Sequence, residues 1–200
     1  LPPIGLNGGR LAEAIEDIIC EEDGDRMFGS MYMDDILELI DWASDISVNV
    51  PSKTRVNSSV PMTRQVIEFT DNFLKDTAKF TGYDASEGAL YVLFMLSLAM
   101  HPKAPSIFAV DPRLAKKMIQ VFCEQILNND KHVFLTTHNP LVLDGLDITN
   151  DDIRLFTVER DKNGYAKIKR IKVSQELIDE GQSLSRLWMN GRLGGVPDLI

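Results

Sequence analysis

The chain has 200 residues, 44% hydrophobic and 26% charged, with a net charge of −9. That suits a globular domain, or one and a half small ones, able to bury a real core. The acidity disfavours the domain as a whole as a nonspecific nucleic-acid binder, which needs clustered Lys and Arg, but leaves a local basic strip open.

The opening residues, LPPIGLNGGR, carry neither the basic region nor the apolar core of a secretory signal. They lack an initiating Met, so the chain is read as part of something longer. After the Asn7-Gly8-Gly9 turn, residues 10–21 place Leu11, Ala14, Ile15, Ile18 and Ile19 at helical spacing. Glu22-Asp23-Gly24-Asp25 stops that helix. Asp34-Asp35 caps a second one predicted to run to Ala43. Residues 46–50 alternate like a strand and end at Pro51, 51–64 are polar loop, and 65–69 form a further strand.

From Tyr83 the pattern changes. Ser86 and Glu87 begin a helix whose body, 90–100, is apolar on nearly every side, as in a helix enclosed by its neighbours. The longest apolar run, 89–100, is 12 residues and includes Ser97. It is short of the roughly 18 a membrane span needs. Residues 106–110 form a short buried strand, 113–127 an amphipathic helix and 133–135 another strand. Together they make a strand–helix–strand unit with a right-handed crossover. Asn163-Gly164 between β-like runs at 154–160 and 166–173 signals a hairpin. Two short helices, 174–180 and 183–190, precede the tail GRLGGVPDLI. Cys20 and Cys123 belong to no motif, which points to a reducing, cytoplasmic setting and free thiols.

Chemistry-capable residues fall at element ends. Asp111 closes the strand SIFAVD, the sheet edge where α/β folds bind ligands. There it either helps hold Mg²⁺, which prefers few carboxylates plus phosphate oxygens, or caps the next helix. His138 follows FLTT at the end of the second strand. A γ-phosphate or attacking water is one partner for it, local backbone the other. His101 and His132 are expected at the surface. Ser86-Glu87-Gly88 opens the buried helix either as a plain cap or as an anion site, with Gly88 permitting close approach. Arg160, Lys162, Lys167, Lys169, Arg170 and Lys172 put six positive charges on the hairpin, either a solvated face or a contact surface. No GxxxxGK[ST], HExxH, CxxC pair or GxSxG occurs.

In this order, Ser-x-Gly at a helix start, an apolar strand ending in Asp, a helix and an apolar strand running into Thr-Thr-His-Asn-Pro resemble the C-terminal lobe of ABC-class ATPase heads. The chain is most similar to the stand-alone ATPases of AAA-type 15 and 21, to the ATPase part of OLD-family nucleases and to the ATPase subunit of Septu-type phage-defence systems. The tail SRLWMNGRLGGVPDLI and the front LPPIGLNGGRLAEAI resemble the same proteins.

The resemblance implies an α/β fold with a mainly parallel sheet, flanking helices and a late β-hairpin. It implies one domain, with residues 1–82 as its front, 83–146 as its core and 147–200 as hairpin and C-terminal helices. Ser86 and Gly88 then match the nucleotide-binding signature motif, Asp111 the Walker B aspartate holding Mg²⁺, and His138 the catalytic switch histidine. ATP and Mg²⁺ are the implied cofactors. The implied partners are a second copy of the chain, a nuclease effector subunit and nucleic acid, with no membrane. Two departures stand out. The Walker A lobe is absent, and Pro112 occupies the position after Asp111, where the family places an acidic catalytic residue. ATP hydrolysis is expected only if the full protein supplies both. The alternatives are a degenerate nucleotide-sensing scaffold and an SMC- or RecF-like repair head, the latter disfavoured by the lack of heptads.

Overall fold

A computed structural model describes residues 9–54, 64–74, 78–110, 116–172 and 181–194. The chain divides into two compact units, residues 1–108 with 124–133, and residues 109–123 with 134–200.

In the first unit, α1 (Leu11–Ile18) buries Leu11, Ala14, Ile15 and Ile18, the i, i+3, i+4, i+7 stripe of an amphipathic helix. The expected continuation to residue 21 does not occur. Ile19–Glu22 is instead strand β1, paired antiparallel with β2 (Asp25–Phe28), which in turn pairs with β3 (Met31–Tyr32). The cause is local: Asp23 and Gly24 both have positive φ, at 53° and 88°. Such a pair forms the type I′ turn that matches strand twist, so Asp-Gly here starts a hairpin where a helix stop was expected.

The second predicted helix is likewise cut short. α2 covers only Met33–Leu37, and β4 already begins at Ala43 (Ala43–Asn49). After a single 3₁₀ turn at Pro51–Lys53, β5 (Val66–Asp71) pairs antiparallel with β4 and with β6 (Lys79–Thr81). Opposing residues include Ile46 with Phe69 and Val48 with Ile67. This sheet lies against α1, and α1 against α3 (Glu87–Met100). Ile15, Phe28, Ile36, Ile46, Phe69, Leu93 and Leu96 are fully enclosed and form the core. α3 is buried along both sides of its length, as its unbroken apolar sequence requires.

β7 (Ile107–Val110) and β8 (His132–Leu135) pair with one another and are connected through α4 (Lys116–Asn128). The His132 N–H donates to the Ser106 carbonyl at 2.8 Å and the Thr136 N–H to the Val110 carbonyl at 3.1 Å. The sequence offset is the same in both bonds, so the strands run parallel. The expected strand–helix–strand unit is therefore present, but its first strand is not the buried one expected: β7 alternates between exposed and half-buried positions, with Ile107 61% exposed. The class is mixed α/β, but the expected predominance of parallel pairing is not what the described residues show. The other sheets are small and antiparallel.

In the second unit, the short helix α5 (Pro140–Leu143) packs against α6 (Leu184–Met189), burying Val142, Leu143 and Leu187. The late hairpin is as expected: β9 (Leu155–Arg160) and β10 (Ala166–Ile171) are antiparallel around a turn with Gly164 at φ 83°. The helix predicted at 174–180 falls on residues 173–180, outside those described. No helix among the described residues is long and apolar enough to cross a membrane.

Candidate functional site

Ser86 is the N-cap of α3, with extended backbone and a hydroxyl that accepts the Ala89 N–H at 3.2 Å. The cap satisfies one of the four free N–H groups at the helix start and leaves the hydroxyl proton available to donate. Gly88 is exposed in the first turn, and a Cβ built there finds only the Ser86 Oγ, at 3.9 Å. Space for the close approach of an anion therefore exists. Glu87 beside it opposes one electrostatically. Ser86 is therefore a helix cap, and the helix start it caps is open.

His138 is exposed, and among the described residues its imidazole makes no hydrogen bond or ion pair. Its neighbours fix it there. The Asn139 N–H donates to Thr137 Oγ1 at 3.0 Å, and Asn139 Oδ1 accepts the Leu141 N–H at 3.1 Å. Asn139 is thus the N-cap of α5, and Pro140 takes the first helical position, where its missing N–H costs nothing. The sequence Thr-His-Asn-Pro is accounted for as an interlocked turn and cap that presents one imidazole to solvent.

Asp111 lies outside the described residues. It follows directly on Val110, whose carbonyl accepts the Thr136 N–H. Since β7 and β8 run parallel, the chain leaves both strands at the same edge, Asp111 next in sequence on one and Thr137-His138 on the other. Ser86 and Gly88 belong to the first unit and His138 to the second. No group of three or more His, Cys, Asp or Glu side chains poised to hold a metal occurs among the described residues.

The fit to ATP and Mg²⁺ is partial. The helix start at Ser86 and Gly88 offers donors and room for a phosphate, while Asp111, the carboxylate expected to hold the metal, is outside the described residues. A phosphate-cradling loop has no counterpart in the sequence.

Two features were not foreseen. His101 is not a surface residue: it is 1% exposed, its Nδ1 accepts the Lys103 N–H at 3.0 Å, and its Nε2 lies 3.4 Å from Asp17 Oδ2. Pro102 directly after a histidine reads as an exposed helix end, and only the packing of α1 on α3 reverses that. The second unit also holds a cavity of about 300 Å³ bordered by Lys116, Asp144, Asp147, Thr149 and Leu187. There the Thr149 hydroxyl, at 2.6 Å, and its N–H hold the Asp147 carboxyl below the usual carboxylate range. The Asp-x-Thr spacing of an Asx turn is the signal that marks this residue in the sequence.

Comparison with known protein families and with curated proteins finds no match for this chain.

Proposed function

We propose that this chain is the C-terminal lobe of an ABC-class ATPase head, which binds MgATP between two copies and passes a conformational signal to a partner nuclease or to clamped nucleic acid, in defence against phage. The observation that carries the reading is the parallel β7–α4–β8 unit. Its two strands end side by side, so that an aspartate follows one and an exposed, cap-braced histidine the other. A sheet edge of that kind is where open α/β folds bind ligands. Carboxylate-held metal and an uncommitted imidazole are the groups a phosphoryl transfer draws on.

In this reading Asp111 holds Mg²⁺, His138 senses the γ-phosphate, and Ser86 with Gly88 contacts the nucleotide held by the opposing copy. The two-stranded parallel pair is the part of a larger parallel sheet that this chain contributes, and the phosphate-cradling lobe comes from outside these 200 residues. The assay is MgATP turnover by the intact native protein and its His138→Ala variant. A loss of turnover of about 10²-fold or more is expected, as for removal of a group stabilising the transition state. Turnover equal in both proteins would sink the assignment of His138, and no nucleotide binding at all would sink the ATPase.

One sequence feature favours a second reading. Pro112 stands where the acidic catalytic residue belongs, which suits a scaffold that senses nucleotide without hydrolysing it. Nucleotide-dependent self-association with no phosphate release marks that case.

A further inference from the structure

The β9–β10 hairpin has one covered face and one bare one. Strand alternation and register put Leu155, Thr157, Lys169 and Ile171 on one side. Thr157 on that side is buried, and a Cβ at Gly194 would lie 3.9 Å from its hydroxyl and 2.6 Å from the Glu159 carboxylate. The turn at 191–194 therefore closes over this face.

The opposite side carries Phe156, Val158 and Ile168, which are 50%, 63% and 72% exposed. Val158 stands directly opposite Ile168, and Phe156 directly opposite Arg170. Arg160, across from Ala166, ends the row at the turn. Neither acid of the hairpin shares this face. Of the hairpin's two acids, Glu159 is on the covered side. Asp161 is engaged at the turn by the N–H groups of Asn163 and Tyr165, with Lys167 Nζ at 3.8 Å.

We infer that the bare face of the β9–β10 hairpin binds single-stranded nucleic acid, with Phe156 and Arg170 holding a base between ring and guanidinium while Arg160 takes a phosphate further along. Charge decides the class of ligand. Residues 155–172 carry six Lys and Arg against two acids, a local +4 in a chain of net −9. A polyanion is therefore drawn to this strip and repelled from much of the remaining surface.

Chemistry and geometry decide the rest. Single strands are held by aromatic or guanidinium planes under their bases and cations along their backbone, and this face presents both. Arg160 lies four residue rows from the Phe156–Arg170 pair, roughly 13 Å along the strands, so the phosphate it reaches belongs to a nucleotide beyond the stacked base. Three apolar side chains make too small a core for a stable protein interface, which covers roughly 800 Å² per partner. The surface is argued from the hairpin alone and stands whether or not the chain turns over ATP.

The test is fluorescence anisotropy of labelled oligo-dT and oligo-U of about 15 nucleotides, a length within the range such sites occupy. It is run on the native protein without nucleotide, across roughly 50 to 200 mM salt. Binding that weakens with salt is expected, and the tighter of the two probes says whether DNA or RNA is the ligand. Phe156→Ala should lower affinity by about five- to hundredfold, as loss of one stacked base does. The Arg160→Gln, Arg170→Gln pair should flatten the salt slope by roughly 0.7, for the one phosphate that Arg160 no longer neutralises, and weaken the stacking as well. Lys53→Gln, on an exposed turn elsewhere, should change neither. Since all three hairpin side chains are exposed, the variants should keep the wild-type circular dichroism spectrum and melting temperature. The inference fails if neither probe binds, or if both hairpin variants bind as wild type does. It also fails if polyglutamate displaces the probe as well as unlabelled oligonucleotide while Phe156→Ala has no effect, because the ligand is then an acidic protein.

Discussion

The carboxylate of Asp144 takes two hydrogen bonds from Ser185, one from its N–H at 2.8 Å and one from its hydroxyl at 2.7 Å. Asp144 closes α5 and Ser185 lies in the first turn of α6, so one side chain ties two short helices together and satisfies a free helix-start donor. Hydrogen bonds to a charged acceptor contribute about 1.5–3 kcal/mol each, against about 1 for neutral ones. Asp144→Ala removes both at a half-buried carboxylate, where the low end of that range applies, and should lower unfolding free energy by about 3 kcal/mol. Asp144→Asn, which keeps one acceptor oxygen, should cost less. Urea titration of the three proteins decides it, and equal losses in the two variants would mean that the charge and not the geometry matters.

Gly145 is required by space, not by backbone freedom. A Cβ there would lie 2.6 Å from the Lys116 carbonyl oxygen and 2.7 Å from Ile119 Cβ. Neither atom can rotate away, and Ile119 is completely buried. Gly145→Ala should push the start of α4 outward at a cost of roughly 1–3 kcal/mol, the usual range for overpacking. A melting temperature unchanged from wild type would show that the helix yields freely.

What the sequence made legible was set by how much of each signal is local. α3 and the β9–β10 hairpin carry their information in periodicity and in an Asn-Gly turn, and both emerge within a residue or two of expectation. The β1–β2–β3 meander was hidden because Ile18-Ile19 continues a helical stripe. Only the left-handed Asp23-Gly24 pair breaks the helix into a hairpin. β6 is three residues long, too short to show alternation, and exists because β5 offers it an edge. At the candidate site, Ser86 and Asn139 were readable as caps because capping is local chemistry. The burial of His101 was not, since it depends on a helix some eighty positions earlier in the chain.

Lys131 replaces a donor that proline removes. The Leu98 carbonyl would accept from the N–H four residues on, but that residue is Pro102, which has none. Lys131 Nζ donates to the Leu98 and His101 carbonyls instead, at 2.8 Å each. Lys131→Met should cost about 1–3 kcal/mol, the penalty for the Leu98 carbonyl left unpaired, since the His101 carbonyl keeps the Ala104 N–H at 3.0 Å. Burial also holds the Lys131 ammonium below the ordinary lysine value of 10.5. Between the folded-state value and 10.5 the unfolded chain keeps the proton and the folded chain sheds it, so stability contributed here rises with pH. The gap between wild type and Lys131→Met should accordingly widen as pH rises toward 10.5 in paired urea titrations. A narrowing gap would reverse the assigned cause.

Gly88 separates a structural role from a functional one more cleanly than Ser86 does. Ser86→Ala removes the acceptor for the Ala89 N–H, so a loss of about 0.5–2 kcal/mol follows from capping alone and says nothing about phosphate. At Gly88 the two roles pull in opposite directions. Its φ is not left-handed, and a methyl group would meet nothing closer than 3.9 Å, so alanine should fit without strain. Replacing an unstrained helical glycine restricts the unfolded chain and should stabilise the fold by about 0.4–1 kcal/mol. If the glycine is there so that a phosphate can approach the helix start, the same methyl group obstructs the ligand. Gly88→Ala in the intact protein should then raise the melting temperature and, at the same time, abolish MgATP-dependent self-association in sedimentation or light scattering. A variant that is more stable and still associates with MgATP as wild type does would reduce Ser86-Glu87-Gly88 to an ordinary cap.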